Sequence, residues 1–271
     1  MTQTQMTIPT IPLHDGIDVP QLGFGVLEVP AEETQRIVEL ALEAGYRHFD
    51  TAAAYGNEEG VGAALAASGL SREDYFVTSK LWNPQRDRDA TLDAFETSLE
   101  RLGLDHVDLY LLHWPVPAGG SPVETWKTFE EIHREEAART IGVSNFRIED
   151  LELLEGESET RPTVNQVELH PRFQQADLRA WHAEHGIATQ ALSPLAQVGL
   201  LDDETIGGIA DAHGKTAAQV VLCWHLQLGN IVAPDSSLPA RIREYVDVFD
   251  FQLSEDEIAT IGALTEPLLL S

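Results

Sequence analysis

The sequence predicts one α/β domain, a (β/α)8 (TIM) barrel with an N-terminal β-hairpin cap. Three observations carry that reading. Short apolar runs of β type alternate with longer amphipathic stretches from about residue 22 onward. The length, 271 residues, is ordinary for one such barrel. No Gly/Ser linker or low-complexity tract divides the chain, so residues 1–271 read as a single domain.

In chain order, IPTIPLHDGIDVPQLG (8–23) alternates around the turn His14-Asp15-Gly16, the pattern of a small hairpin that closes one end of a barrel. Strands are expected at 22–26, 46–50, 75–79, 107–112, 140–143, 163–167, 187–191 and 231–233. Between them, 31–44, 89–102, 122–135 and 216–228 place apolar residues three and four apart, as helices covering a sheet do. A doubly wound sheet is the alternative. It calls for a G-x-G-x-x-G turn after an early strand, and that motif is absent.

Charge excludes two classes of partner. With 45 acidic against 17 basic residues the net charge is −28, a field that repels nucleic acid and anionic lipid. The acid is spread along the chain, which reads as a solvated surface suited to a salty cytosol rather than a docking face. No run approaches the ~20 apolar residues of a membrane span. The N-terminus has neither a basic nor an apolar signal region, so a cytoplasmic protein without a leader is expected. Cys223 is the single cysteine and excludes an internal disulfide.

In such barrels chemistry sits at the C-terminal ends of the strands. There the chain places Asp50 and Tyr55, Lys80 and Trp82, His113 and Trp114, Ser144 and Asn145, Gln166 and Glu168, then Ser193. Lys80, one of three lysines, follows the apolar run from Tyr75 and must be desolvated unless paired. Asp50 can pair with it. An ammonium beside Tyr55 stabilises the phenolate and lowers the phenol pKa from about 10, making a general acid for a carbonyl oxygen. His113 can donate to the same oxygen. A buried ion pair, a packed tyrosine and a core histidine account for the same residues, and spacing alone leaves both readings open. A metal-dependent barrel would draw on His48, His113 and His170, but no carboxylate–histidine spacing resembles a metal triad, so no metal is expected.

The segments GYRHFDTAAAYGNEEGVG (45–62), TSKLWN (78–83), DLYLLHWP (108–115), IGVSNF (141–146), NQVELHP (165–171), SPLA (193–196) and RIREYVDVFDF (241–251) resemble the aldo-keto reductase superfamily. The likeness is greatest to its bacterial 2,5-diketo-D-gluconate reductase-like branch and runs from about residue 8 to about 264. It implies an enzyme, usually a monomer, that reduces aldehydes and ketones with NADP(H) or NAD(H). Tyr55 is then the proton donor, tuned by Lys80 and Asp50, and His113 orients the carbonyl. Ser144, Asn145 and Gln166 match residues that hold the nicotinamide carboxamide; Ser193 and Leu195 match those whose backbone meets the pyrophosphate. Trp82 and Trp114 match aromatic walls of the substrate pocket, and Leu27 stands where relatives have a Trp or Phe, which widens one wall.

Departures cluster on the cofactor. Leu192 stands where the family has an aromatic against the nicotinamide, losing a stacking contribution on the order of 1 kcal/mol. Asp235, beside Ser236, replaces a lysine facing the 2′-phosphate of NADP(H); its carboxylate repels a dianion and accepts from a free ribose hydroxyl. Arg241 and Glu244 are kept, whereas Leu238 and Tyr245 depart. These positions predict weakened NADP(H) selectivity and use of NAD(H). A noncatalytic cofactor-binding barrel, acting as sensor or subunit, is the competing reading; the intact Asp50, Tyr55, Lys80 and His113 oppose it. The terminal residues 266–271 are expected across the pocket mouth or away from it.

Overall fold

The computed structural model describes residues 8–82, 87–115, 121–195 and 199–265. The expectation for the terminal residues therefore lies outside the described residues. The chain opens with the predicted hairpin, β1 (Thr10–Pro12) and β2 (Asp18–Pro20), paired antiparallel. Its turn closes by Leu13 N–H donating to the Ile17 carbonyl at 2.8 Å, with Gly16 at a φ of 90° that side chains disfavour.

Eight parallel strands follow in unbroken chain order: β3 (Phe24–Gly25), β4 (His48–Asp50), β5 (Phe76–Leu81), β6 (Val107–Leu112), β7 (Ala138–Ser144), β8 (Val164–Glu168), β9 (Ala188–Leu192) and β10 (Ile231–Val232). The sheet closes on itself. Gly23 N–H donates to the Val232 carbonyl at 2.8 Å, Val232 N–H to Gln21 at 2.9 Å, and Gly25 N–H to Pro234 at 3.1 Å. A Cβ on Gly25 would lie 2.5 Å from the Ala233 carbonyl, so only glycine permits this seam.

The helices are α1 (Ala31–Ala44), α2 (Glu58–Ala67), α3 (Arg88–Leu102), α4 (Val123–Arg134), α5 (Ile148–Glu157), α6 (Ala176–His185), α7 (Glu204–His213), α8 (Ala217–Gln227), α9 (Pro239–Val246) and α10 (Glu255–Gly262). Local chemistry sets their limits. Asp87 caps α3 by accepting from Ala90 N–H, and Thr216 and Gln219 form a capping box at α8. The four helices predicted from periodicity are present within a residue at either end.

β4 begins two residues later and β7 two residues earlier than expected, and two further differences bear on the site. The β3 ladder is only two residues long, because the first strand closes the barrel through single bridges, Leu22 to Val232 and Gly25 to Asp235. β5 runs two residues further than its apolar stretch, so Lys80 lies inside the strand, opposite Leu111, rather than after it. Ion pairing of Lys80 lets the strand continue through a charged residue.

The hairpin plugs the N-terminal end of the barrel. Leu13 and Val19 pack with Phe76, Leu109, Leu111, Val164 and Ile231. Asp15 accepts from Thr140 at 2.5 Å, and His14 lies 3.3 Å from the Pro162 carbonyl. Beside it, the buried Asp108 carboxylate takes Arg72 at 2.6 Å, Arg139 at 2.8 Å and Val77 N–H at 2.8 Å. The opposite end is left for chemistry.

Candidate active site

The alternation of β5 divides its side chains. Thr78 and Lys80 enter the barrel, whereas Ser79 faces α2 and donates to Glu58 at 2.7 Å. Lys80 Nζ, fully buried, pairs with Asp50 Oδ1, donates to the Thr51 carbonyl at 3.0 Å and donates to the Tyr55 hydroxyl at 3.2 Å. The other Asp50 oxygen, Oδ2, accepts Nε2–H from Gln166 and from Gln190, each at 2.8 Å. Burial works against the Lys80 charge, but Asp50 and Tyr55 outweigh it and hold the ammonium pKa above its usual value.

Tyr55 is carried on a one-turn 3-10 segment, Ala53–Tyr55, that closes at Gly56. Asn57 anchors this loop: it accepts from Thr51 at 2.8 Å and donates to the Val26 and Val29 carbonyls at 2.8 and 3.3 Å. The Tyr55 pKa is raised, not lowered as the sequence predicts. Burial raises it more than Lys80 lowers it, and Asp50 and Asp235 add to the rise. Tyr55 is therefore a protonated phenol at neutral pH, in the form a proton donor needs.

His113 follows β6, its ring edge-on to Tyr55 at 6.1 Å and to Trp82 at 5.4 Å, and stacked with Trp114 at 6.5 Å. Burial, with Lys80 nearby, lowers its pKa to about 4, so the ring is neutral and serves as a hydrogen-bond donor rather than an acid. Among the described residues only five large apolar side chains are exposed, and Leu27, Trp82 and Trp114 are three of them. Trp82 and Trp114 flank His113 and Leu27 lines the cleft beside Tyr55, the apolar lip of a pocket mouth. His48 lies deeper, between the Pro20 carbonyl at 3.2 Å and Thr78 at 3.0 Å, and His170 faces Glu168 at 3.3 Å. These three histidines do not converge.

The half of the rim that carries the candidate cofactor residues is built by β7 to β10. Ser144 donates to the Gln166 carbonyl at 2.9 Å; Asn145 donates to Ser144 and to the His113 carbonyl, both at 3.0 Å. Asn145 and Ser193 have φ values of 63° and 52°, strained positions at the rim turns after β7 and β9. A narrow cleft of about 20 Å³ is lined by Gly25, Leu27, Asp50, Tyr55, Gln166, Leu192, Ser193 and Asp235. It adjoins a cavity of about 410 Å³ lined by Glu28, Ser193, Leu195, Asp235, Arg241 and Tyr245. Asp235 sits at the seam, accepting from Glu28 N–H at 3.1 Å, and burial raises its pKa. Glu244 lies off this lining and accepts from Thr216 at 2.6 Å; the Ser236 hydroxyl accepts from Leu238 N–H at 3.1 Å. A larger depression of about 750 Å³ around His106, His133 and Arg139 lies at the hairpin end, away from this chemistry.

The arrangement fits a nicotinamide dinucleotide. Because ionised Asp50 only accepts, Gln166 must turn its nitrogen to it, which leaves Gln166 Oε1 buried beside the cleft without a partner among the described residues. That oxygen would accept from an amide donor bound in the cleft.

Residues 21–266 match the aldo/keto reductase family. The chain belongs to the aldo/keto reductase family. It is 49% identical over 266 residues to a protein named methylglyoxal reductase DkgA from Escherichia coli (strain K12), covering 96% of this chain and 95% of that one. A crystal structure of an aldo/keto reductase from Brucella melitensis superposes with a TM-score of 0.94 at 52% identity, covering 97% of this reductase and all of that chain. An aldo-keto reductase of Bombyx mori, solved in complex with NADP, gives a TM-score of 0.90 at 36% identity over 96% and 94% of the two chains. The protein is thus an NAD(P)H-dependent oxidoreductase of carbonyl compounds.

Sequence reasoning missed two members of the site. Asn57 ties the Tyr55 loop to the first βα loop; its only signal was its place between Gly56 and an acidic pair. Gln190 reaches Asp50 from an ordinary-looking polar position in a β-type run.

Proposed function

We propose that this reductase converts neutral aldehydes and ketones to alcohols with Tyr55 as the proton donor. The observation that carries the reading is the Lys80 ammonium held on the Tyr55 phenol by Asp50. The bound dinucleotide supplies the hydride. His113, as a neutral donor, orients the carbonyl oxygen toward the phenol; Tyr55 gives up its proton as charge develops on that oxygen, and Lys80 stabilises the phenolate left behind. Ser144, Asn145 and Gln166 would hold the carboxamide, and Leu192, in the cleft lining, would pack against the nicotinamide. Ser193, Leu195, Arg241 and Tyr245, which line the adjoining cavity, would take the remainder.

Substrate choice follows the lip. Leu27, Trp82 and Trp114 present apolar surface, and the cleft lining contains carboxylates but neither arginine nor lysine. Anionic substrates are disfavoured and small α-oxo aldehydes are preferred, in keeping with the name of the E. coli relative. Asp235 bears on the dinucleotide. With Glu28 it puts two carboxylates against the single guanidinium of Arg241 along the cavity, which disfavours a 2′-phosphate and favours NAD(H). The proposal includes action as a cytosolic monomer. Its support is the dispersed negative charge; among the described residues, no helix is long and apolar enough to cross a membrane.

The test is loss of nicotinamide absorbance with methylglyoxal, comparing wild type with Tyr55→Phe. Turnover that survives the substitution, or that a chelator abolishes, overturns the assignment. Dinucleotide binding without turnover of any carbonyl would instead support a cofactor-binding sensor.

A further inference from the structure

We propose that Gln190 is a positioning residue that keeps the buried Lys80–Asp50 pair ionised, and so sets the proton affinity of Tyr55. The inference rests on the proposed role of Tyr55. Gln190 lies on β9, in register with Gln166 on β8 and Ile231 on β10, and is fully buried. Its Nε2–H donates to Asp50 Oδ2 at 2.8 Å, the oxygen that also accepts from Gln166, while Lys80 takes Oδ1.

Which end of the amide faces Asp50 is settled by chemistry. A carboxylate paired with an ammonium only accepts, so Gln190 must present its nitrogen. Its Oε1 is then left buried and without a partner among the described residues. An unsatisfied core carbonyl persists where the other end of the amide is in use. Gln166 has the same orientation, but Gln166 is in the cleft lining, where a carboxamide would meet its oxygen. Gln190 is absent from the cleft lining, which leaves it the Asp50 contact alone.

A fully buried lysine and aspartate can share their proton in two ways: ammonium with carboxylate, or amine with carboxylic acid. Desolvation favours the neutral form. Two amide donors on Oδ2 stabilise the carboxylate and hold the proton on Lys80. With one donor removed, Asp50 draws the proton, the charge beside Tyr55 weakens, and the phenol holds its proton more tightly. The titratable groups facing the Tyr55 phenol are Lys80 from β5, Asp50 from β4 and Asp235 after β10. His48 and His113 face the pair, and burial keeps both neutral.

The experiment is the pH profile of kcat for aldehyde reduction and for alcohol oxidation in wild type, Gln190→Met and Gln190→Glu. Thermal midpoint and dinucleotide binding, followed by tryptophan fluorescence, are measured alongside. Methionine keeps the length and removes the donor. The expected result is a Tyr55 ionisation displaced to higher pH by about one unit in both directions, a kcat lowered about tenfold, and an unchanged KM for the dinucleotide. In Gln190→Glu the introduced carboxyl, protonated beside Asp50, restores a donor, so activity returns at the acid end and falls as that group ionises. A Gln190→Met profile whose ionisation stays at the wild-type position overturns the proposal, whatever happens to kcat or the thermal midpoint. Should Gln190→Met not fold, the Gln190→Glu profile decides: absence of acid-end recovery overturns it. If Tyr55→Phe remains active, the role of Tyr55 is what fails, which separates the two.

Discussion

The Lys80 ammonium donates to the Tyr55 hydroxyl at 3.2 Å, the contact on which the proposed role of Tyr55 as an acid rests. Burial alone would leave Tyr55 a poor proton donor, since its phenolate would be unsolvated; Lys80 supplies the solvation that water does not. Tyr55→Phe removes the proton and keeps the ring. Carbonyl reduction is expected to fall by about 10²-fold or more, with NADH and NADPH still binding. Calorimetric titration alongside turnover checks both halves.

Lys80→Met cuts the same link from the other side. It leaves Asp50 buried with two amides but no counter-charge, which costs about 3–5 kcal/mol and lowers the thermal midpoint by roughly 10 °C. Activity falls with it. A variant that melts with wild type would show that Asp50 takes up a proton at little cost.

Asp235 sets the cofactor prediction. Held by Glu28 N–H at the seam between cleft and cavity, it meets any dinucleotide that spans the two. Asp235→Lys is expected to tighten NADPH binding by about tenfold and to leave NADH binding near wild type, with the gain shrinking as salt is added. Equal effects on both dinucleotides would place the 2′ position elsewhere.

Acid should unfold the reductase from a well-defined direction. Burial lowers His113 and His182 to about 4 and His225 to about 3, and lowers His48 as well. Each ionises near 6.5 once unfolded, so below that pH the unfolded chain binds more protons than the folded one. Stability is complete above pH about 6.5 and declines as pH falls toward 4. Urea midpoints across that window measure the slope; a flat profile would mean that these rings are solvated.

The barrel and the clustering of Asp50, Lys80 and Tyr55 were legible because their residues conflict with their surroundings. A lysine at the end of an apolar run, in a chain with only three, signals a pair, and the eight alternating runs signal the strands. Asn57 and Gln190 were not legible, since a polar residue in a loop or on a strand carries no mark of which backbone or carboxylate it will meet across the barrel. The sign of the Tyr55 shift was misread for a related reason. Spacing shows that a lysine is near, but only the fold shows how much water has been excluded around the phenol. β5 was drawn too short because the apolar pattern stops at Lys80, whereas pairing through Asp50 lets the backbone ladder continue to Leu81.

The hairpin's grip on Thr140, Pro162 and His48 separates what keeps this barrel standing from what makes it react. Its foundations are laid at one end, by a turn and a cluster of arginines around Asp108, while the reactive groups open at the other. Rim loops can then be lengthened, trimmed or exchanged without disturbing the footing. A lineage built on such a plan acquires new substrates by refitting the doorway and leaving the house in place.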